Sequence, residues 1–109
     1  MANADTLVYV RLSLSQAKPG NEAAVAKIED DLMAFLAKQP GYLHGYQIVG
    51  GDSEGRVGRL TLWESDQHAD QAAQTEHVLS QRSQLIMLIE GDLHVEDSWI
   101  ARVVEPAKP

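Results

Sequence analysis

Gly58-Arg59-Leu60-Thr61-Leu62-Trp63-Glu64-Ser65-Asp66 is the stretch on which the reading of this chain turns. Leu60 and Leu62 fall on one side of an alternating pattern, with Arg59, Thr61 and Trp63 on the other, which is the period of a β-strand. Ser65 then supplies a helix N-cap. A large amphipathic ring is thereby set where a strand hands over to a helix, beside the expected cavity.

Working upstream, the strand begins near Arg56 and follows a flexible loop, Gly50-Gly51-Asp52-Ser53-Glu54-Gly55, which joins it to another strand over 42–49. Pro40-Gly41 stops a helix in which Val25, Ile28, Leu32, Phe35 and Leu36 recur at helical spacing. Lys18-Pro19-Gly20-Asn21 separates that helix from a first strand over 6–15, and Asn21 is its expected N-cap. Val8, Val10, Leu12 and Leu14 form one face of the first strand; Leu7, Tyr9, Arg11 and Ser13 form the other. Downstream, residues 66–90 read as a helical region in two parts with a bend near Gln74-Thr75-Glu76. Gly91-Asp92 ends it, a last strand runs over 93–104, and Pro106 and Pro109 close the chain.

The order β-α-β-β-α-β predicts an α+β, ferredoxin-like domain with an antiparallel four-stranded sheet and its helices on one face. A single domain over 1–109 is expected, with its core at about 6–104. The face away from the helices is expected to carry Leu7, Tyr9, Val57 and Trp63. Each large side chain left wet there forgoes about 1.5–3 kcal/mol of burial. A second copy would cover this patch, so a homodimer enclosing a barrel-like cavity is expected.

Composition narrows the classes of function. A net charge of −7 with no basic stripe disfavours nucleic acid and anionic membrane as partners. No apolar run approaches the roughly 20 residues needed to span a bilayer. The absence of cysteine excludes disulfides, zinc–thiolate sites, iron–sulfur ligation and thiol nucleophiles. The first residues lack the basic and apolar regions of a signal peptide, so a cytoplasmic location is expected.

Four segments in order carry a family resemblance: the first strand leading to Lys18-Pro19-Gly20-Asn21-Glu22, then Gln39-Pro40-Gly41-Tyr42-Leu43, then Leu62-Trp63-Glu64-Ser65, and the closing helix and strand. Together they resemble the antibiotic biosynthesis monooxygenase-like domains of the dimeric α+β barrel superfamily. The resemblance implies a homodimer with a cavity between sheet and helices, on a scaffold that hosts cofactor-free oxidation, heme degradation and members with no assigned reaction. The heme-degrading branch uses an Asn, a Trp and a His at positions that fall near Val10, Ala72 and Arg82, and none matches. The cofactor-free oxygenase branch places a Trp at the end of the third strand, matched by Trp63, and an Asn four residues earlier, where this chain has Arg59.

Tyr9, Arg11, Arg59, Thr61 and Trp63, with His44 and Tyr46 from the second strand, are the expected binding residues on the inner sheet face. An aromatic platform beside two guanidinium groups suits a planar, acidic ligand such as a quinol. The competing reading makes Trp63 and Tyr9 dimer core and pairs the arginines with carboxylates. Trp63, Arg59 and His77 are the catalytic candidates, with His77 as general base at the cavity mouth. Histidine spacing gives no recognisable metal site, no glycine-rich phosphate loop precedes a helix, and no cofactor is implied. Two functions follow: a cofactor-independent monooxygenase acting on a small aromatic or quinol, or a non-catalytic dimeric barrel that binds or senses a small apolar ligand.

Overall fold

The computed structural model describes residues 6–104, so Pro106 and Pro109 lie outside the described residues. Strands β1 (Leu7–Ser15), β2 (Tyr42–Ile48), β3 (Val57–Trp63) and β4 (Val95–Arg102) and helices α1 (Glu22–Leu36), α2 (Asp66–Ala73) and α3 (Glu76–Leu88) follow the order β1-α1-β2-β3-α2-α3-β4. The strands form one antiparallel sheet in the order β2-β3-β1-β4, the ferredoxin-like arrangement. Among the described residues no helix is long and apolar enough to cross a membrane.

Local chemistry explains most boundaries. Ser65 accepts the His68 backbone N–H and starts α2. Thr75 does the same for Val78 and restarts the chain as α3, which is why the helical region breaks after Ala73. Asn21 precedes α1 without capping it: its amide donates to the Leu88 carbonyl, and Glu22 accepts the Gly20 N–H. The turn after α1 requires Gly41, whose φ is +82° and where a Cβ would strike the His68 ring.

The helix ends earlier than Gly91 suggests. Ile89 is extended and bridges to Ala17, and the Glu90 N–H reaches the Gln16 carbonyl. A 3-10 turn over Gly91–Leu93 follows, so β4 begins only at Val95.

The helices cover the face opposite to the one expected. Trp63 is 2% exposed and packs with Val25, Ile28, Leu32 and Leu36 of α1, Ala69 and Ala72 of α2, and Val78 and Leu85 of α3. Tyr9 and Val57 pack against the same cluster. The uncovered face instead carries Leu12, Leu14, Leu60 and Leu62, half-buried, together with Trp99 at 50% and Tyr46 at 56% exposure. The register puts Val10 opposite Trp99 and Leu60 opposite Tyr46, so these side chains share one surface. Both faces bear large side chains, and alternation alone does not say which one the helices choose.

Candidate functional site

A cavity of about 250 Å³ lies between the middle of the sheet and the helices. β3 presents Arg59, Thr61 and Trp63 to it, β1 presents Arg11 and Ser13, and β4 presents Glu96 and Ser98. Leu36, Ala69, Ala73, Val78 and Arg82 close it from the helices. The alanines on α2 are too small to fill the space above the sheet. The indole of Trp63 is fixed on two sides: its Nε1–H donates to Thr61 Oγ1 at 2.8 Å, and Tyr42 meets the ring edge-on with centroids 5.5 Å apart.

Charge in the cavity wall is organised in three pairs. Arg59 donates to Glu29 Oε1 at 2.8 Å, both side chains being buried; Glu29 Oε2 has no partner. Arg11 bonds Asp70 at 2.8 Å and reaches Asp66 at 3.4 Å, while its Nε is buried and unpartnered. Arg82 donates to Glu96 Oε2 at 2.6 Å, and the same oxygen lies 2.8 Å from His94 Nε2. Burial opposes ionisation of Glu96, but the His94 hydrogen bond and the charges of Arg82, His94 and Arg59 outweigh it. They hold the carboxyl below its ordinary value. Among the described residues no cluster of three or more His, Cys, Asp or Glu is placed to hold a metal ion.

No family model matches this chain. No curated protein matches it either. Solved structures do. Protein SO0527 from Shewanella oneidensis superposes with a TM-score of 0.78 at 14% identity, over 94% of this chain and 96% of that one. A candidate antibiotic biosynthesis monooxygenase from Nitrosomonas europaea gives 0.75 at 15% identity, over 93% and 94% of the two chains. SnoaB, a cofactor-independent oxygenase from Streptomyces nogalater, gives 0.65 at 15% identity, over 92% and 94%.

The chain has the fold of the antibiotic biosynthesis monooxygenase-like proteins. At these identities the likeness is one of fold.

Within this antibiotic biosynthesis monooxygenase-like fold, Arg11, Arg59, Thr61 and Trp63 line the same cavity. Tyr9 stands opposite Trp63 on the neighbouring strand and packs against the core without lining the cavity. His44 and Tyr46 are on the uncovered face, their rings 4.8 Å apart, and do not share the inner face with Trp63. The cause is a bulge: Tyr42 pairs with Trp63 but His44 pairs with Leu62, so Leu43 is an extra residue and the alternation flips. His77 is not at the cavity mouth. Its Nε2 lies 2.6 Å from Asp31, and its ring stacks on Phe35 with centroids 4.2 Å apart.

Sequence reasoning missed Arg82, Glu96, Ser13 and Ser98 as cavity residues. Glu96 left a partial signal, because it shares a strand face with His94 two residues earlier. Arg82 left none, since its approach to Glu96 depends on how α3 docks.

Proposed function

We propose that the cavity takes a small hydroxy-aromatic or quinol, and that the protein oxidises it with dioxygen without a bound cofactor. One observation carries this reading: Trp63, Arg59 and Arg11 line a single cavity of about 250 Å³. That volume is just below the roughly 300–1,000 Å³ common for drug-sized ligands, so it suits one or two rings. The indole offers an apolar wall, and the guanidinium groups stabilise oxyanion charge as it develops. The chemistry balances without an external reductant. A hydroquinone and dioxygen give a hydroxyquinone and water: one oxygen atom enters a ring C–H bond and the other leaves as water. The four electrons come from the hydroquinone itself.

Oxygen uptake with a panel of hydroquinones tests the proposal. The Trp63→Ala, Arg59→Ala double variant is expected to lose about 10²–10³-fold in kcat/KM, the scale of removing a charge-stabilising donor. Arg11→Met serves as the milder check if the double variant folds poorly. Uptake equal to that of the double variant in the wild-type protein overturns the proposal.

A second reading has its own support. Arg11, Arg59 and Arg82 each already hold a carboxylate. Such pairing favours a non-catalytic dimeric barrel that binds or senses a small apolar ligand. Ligand binding with no oxygen consumption selects this reading.

We infer that in either case a second copy covers the uncovered sheet face, since Trp99, Tyr46, Leu60 and Leu62 together form the kind of apolar patch that marks an interface. The expected homodimer is thus retained on the opposite face from the one alternation suggested. A monomer in sedimentation at micromolar concentration contradicts it.

A further inference from the structure

Oxidation of a hydroxy-aromatic begins with loss of its proton, and His77, turned toward Asp31 and Phe35, does not face the cavity to take it. We propose that Glu96 is the catalytic base of the cavity and that His94, backed by the buried Ser15, is the positioning residue that holds it. This assignment rests on the reading of the cavity as a hydroxy-aromatic site.

The geometry separates Glu96 from the other carboxylates nearby. Glu29 is 1% exposed and bonds Arg59 through Oε1; its Oε2 has no partner, but Glu29 does not line the cavity. Asp66 and Asp70 are largely exposed partners of Arg11 and do not line the cavity. Asp97 also borders the cavity, but it stands opposite Leu12, so strand alternation turns its side chain to the uncovered face. Glu96 stands opposite Ser13, on the cavity face, and lines the cavity. Its bonds from Arg82 and His94 both fall on Oε2, which leaves Oε1 for a ligand among the described residues.

The support behind Glu96 is suited to a group that changes charge. His94 Nε2 faces Glu96 at 2.8 Å and His94 Nδ1 faces Ser15 Oγ at 2.8 Å. A hydroxyl can donate or accept, so the imidazole keeps both hydrogen bonds whether neutral or protonated. Ser15 is fully buried and does not line this cavity, which makes it a fixed anchor and not a nucleophile. In the step itself the phenolic O–H bond breaks, its electron pair stays on oxygen as phenolate, and the proton passes to Glu96 Oε1. The proton later joins the dioxygen-derived atom that leaves as water. The charged and titratable groups around Glu96 are Arg82 from α3, Arg59 from β3 and His94 from the segment entering β4, with Arg11 of β1 on the same cavity. They favour both the ionised carboxylate and the phenolate.

The test combines calorimetric binding of 2-naphthol with oxygen uptake on 1,4-dihydroxynaphthalene across pH, using the full chain. Glu96→Gln is expected to bind 2-naphthol much as the wild-type protein does and to lose about 10²–10⁴-fold in kcat, the usual contribution of a general base. Glu96→Asp restores part of that loss. His94→Leu removes the hydrogen bond that lowers the Glu96 carboxyl, so the acid limb of kcat/KM moves to higher pH while binding stays. Glu96→Gln that binds and turns over at the wild-type rate overturns the assignment and leaves the cavity reading intact. A wild-type protein that binds 2-naphthol yet consumes no oxygen overturns the oxidation reading and the assignment with it.

Discussion

The two faces of the sheet invert the usual distribution of polarity. Under the helices, where burial is greatest, the sheet centre is polar: Ser13, Ser15, Arg59 and Thr61 are all buried there. On the side without cover it is apolar, with Leu12, Leu60, Leu62 and Trp99. A covered face with no function fills with aliphatic side chains, because buried polar groups need partners and gain little net energy. An uncovered face on a protein that works alone carries polar residues. This contrast is the ground for both proposals: a site beneath the helices and a second copy against the bare face.

The largest effect is expected where the covered face is most polar. Glu29→Ala leaves Arg59 buried without a counter-ion, and denaturant unfolding should show a loss of about 3–5 kcal/mol. The Glu29→Leu, Arg59→Met pair should cost less than Glu29→Ala, because it removes both charges together. A negligible cost for Glu29→Ala breaks the claim that this pair organises the covered face.

The uncovered face answers differently. Trp99→Asp should leave unfolding of the isolated subunit nearly unchanged, while the dimer weakens by about 1.5–3 kcal/mol, the burial of one large side chain. Sedimentation equilibrium reads this directly. An unchanged dimer, or a large loss of subunit stability, would mean that Trp99 belongs to a core and not to an interface.

Smaller effects sharpen the boundary between the faces. Ser65→Ala removes the cap that sets α2 over the cavity and should cost about 1 kcal/mol in thermal or denaturant unfolding. The weakest effect is a pH dependence at the outer layer. The His77 and Gln81 hydrogen bonds to Asp31 hold its carboxyl below the ordinary value. A depressed carboxyl stabilises the fold above its unfolded value and loses that contribution as pH falls through the folded one, a window below about pH 4. His77→Ala should flatten the unfolding profile in that window and lower stability at the pH values above it, where the depressed carboxyl contributes in full.

Local features were readable in the residues themselves. The hand-over from Trp63 to a Ser65-capped helix, the break near Gln74-Thr75 and the succession of elements along the chain each depend on neighbours in sequence. Arg11, Arg59, Thr61 and Trp63 share a face by simple alternation. What alternation could not carry was the choice of covered face, since Tyr9 and Trp63 on one side are opposed by apolar Leu60 and Leu62 on the other. One extra residue at Leu43 moved His44 and Tyr46 across the sheet. The meeting of Arg82 with Glu96 needed helix docking, which no local pattern encodes.

The chain has two tryptophans, Trp63 on the covered face and Trp99 on the bare one, and this offers the most direct test. Fluorescence quenching by a hydroquinone would be titrated in the Trp99→Phe protein, where Trp63 alone emits, and in the Trp63→Phe protein, where Trp99 alone emits. Saturable quenching of Trp63 with no saturable quenching of Trp99 is the expected result. Saturable quenching of Trp99 with an unresponsive Trp63 would put the ligand on the bare face and contradict a site beneath the helices.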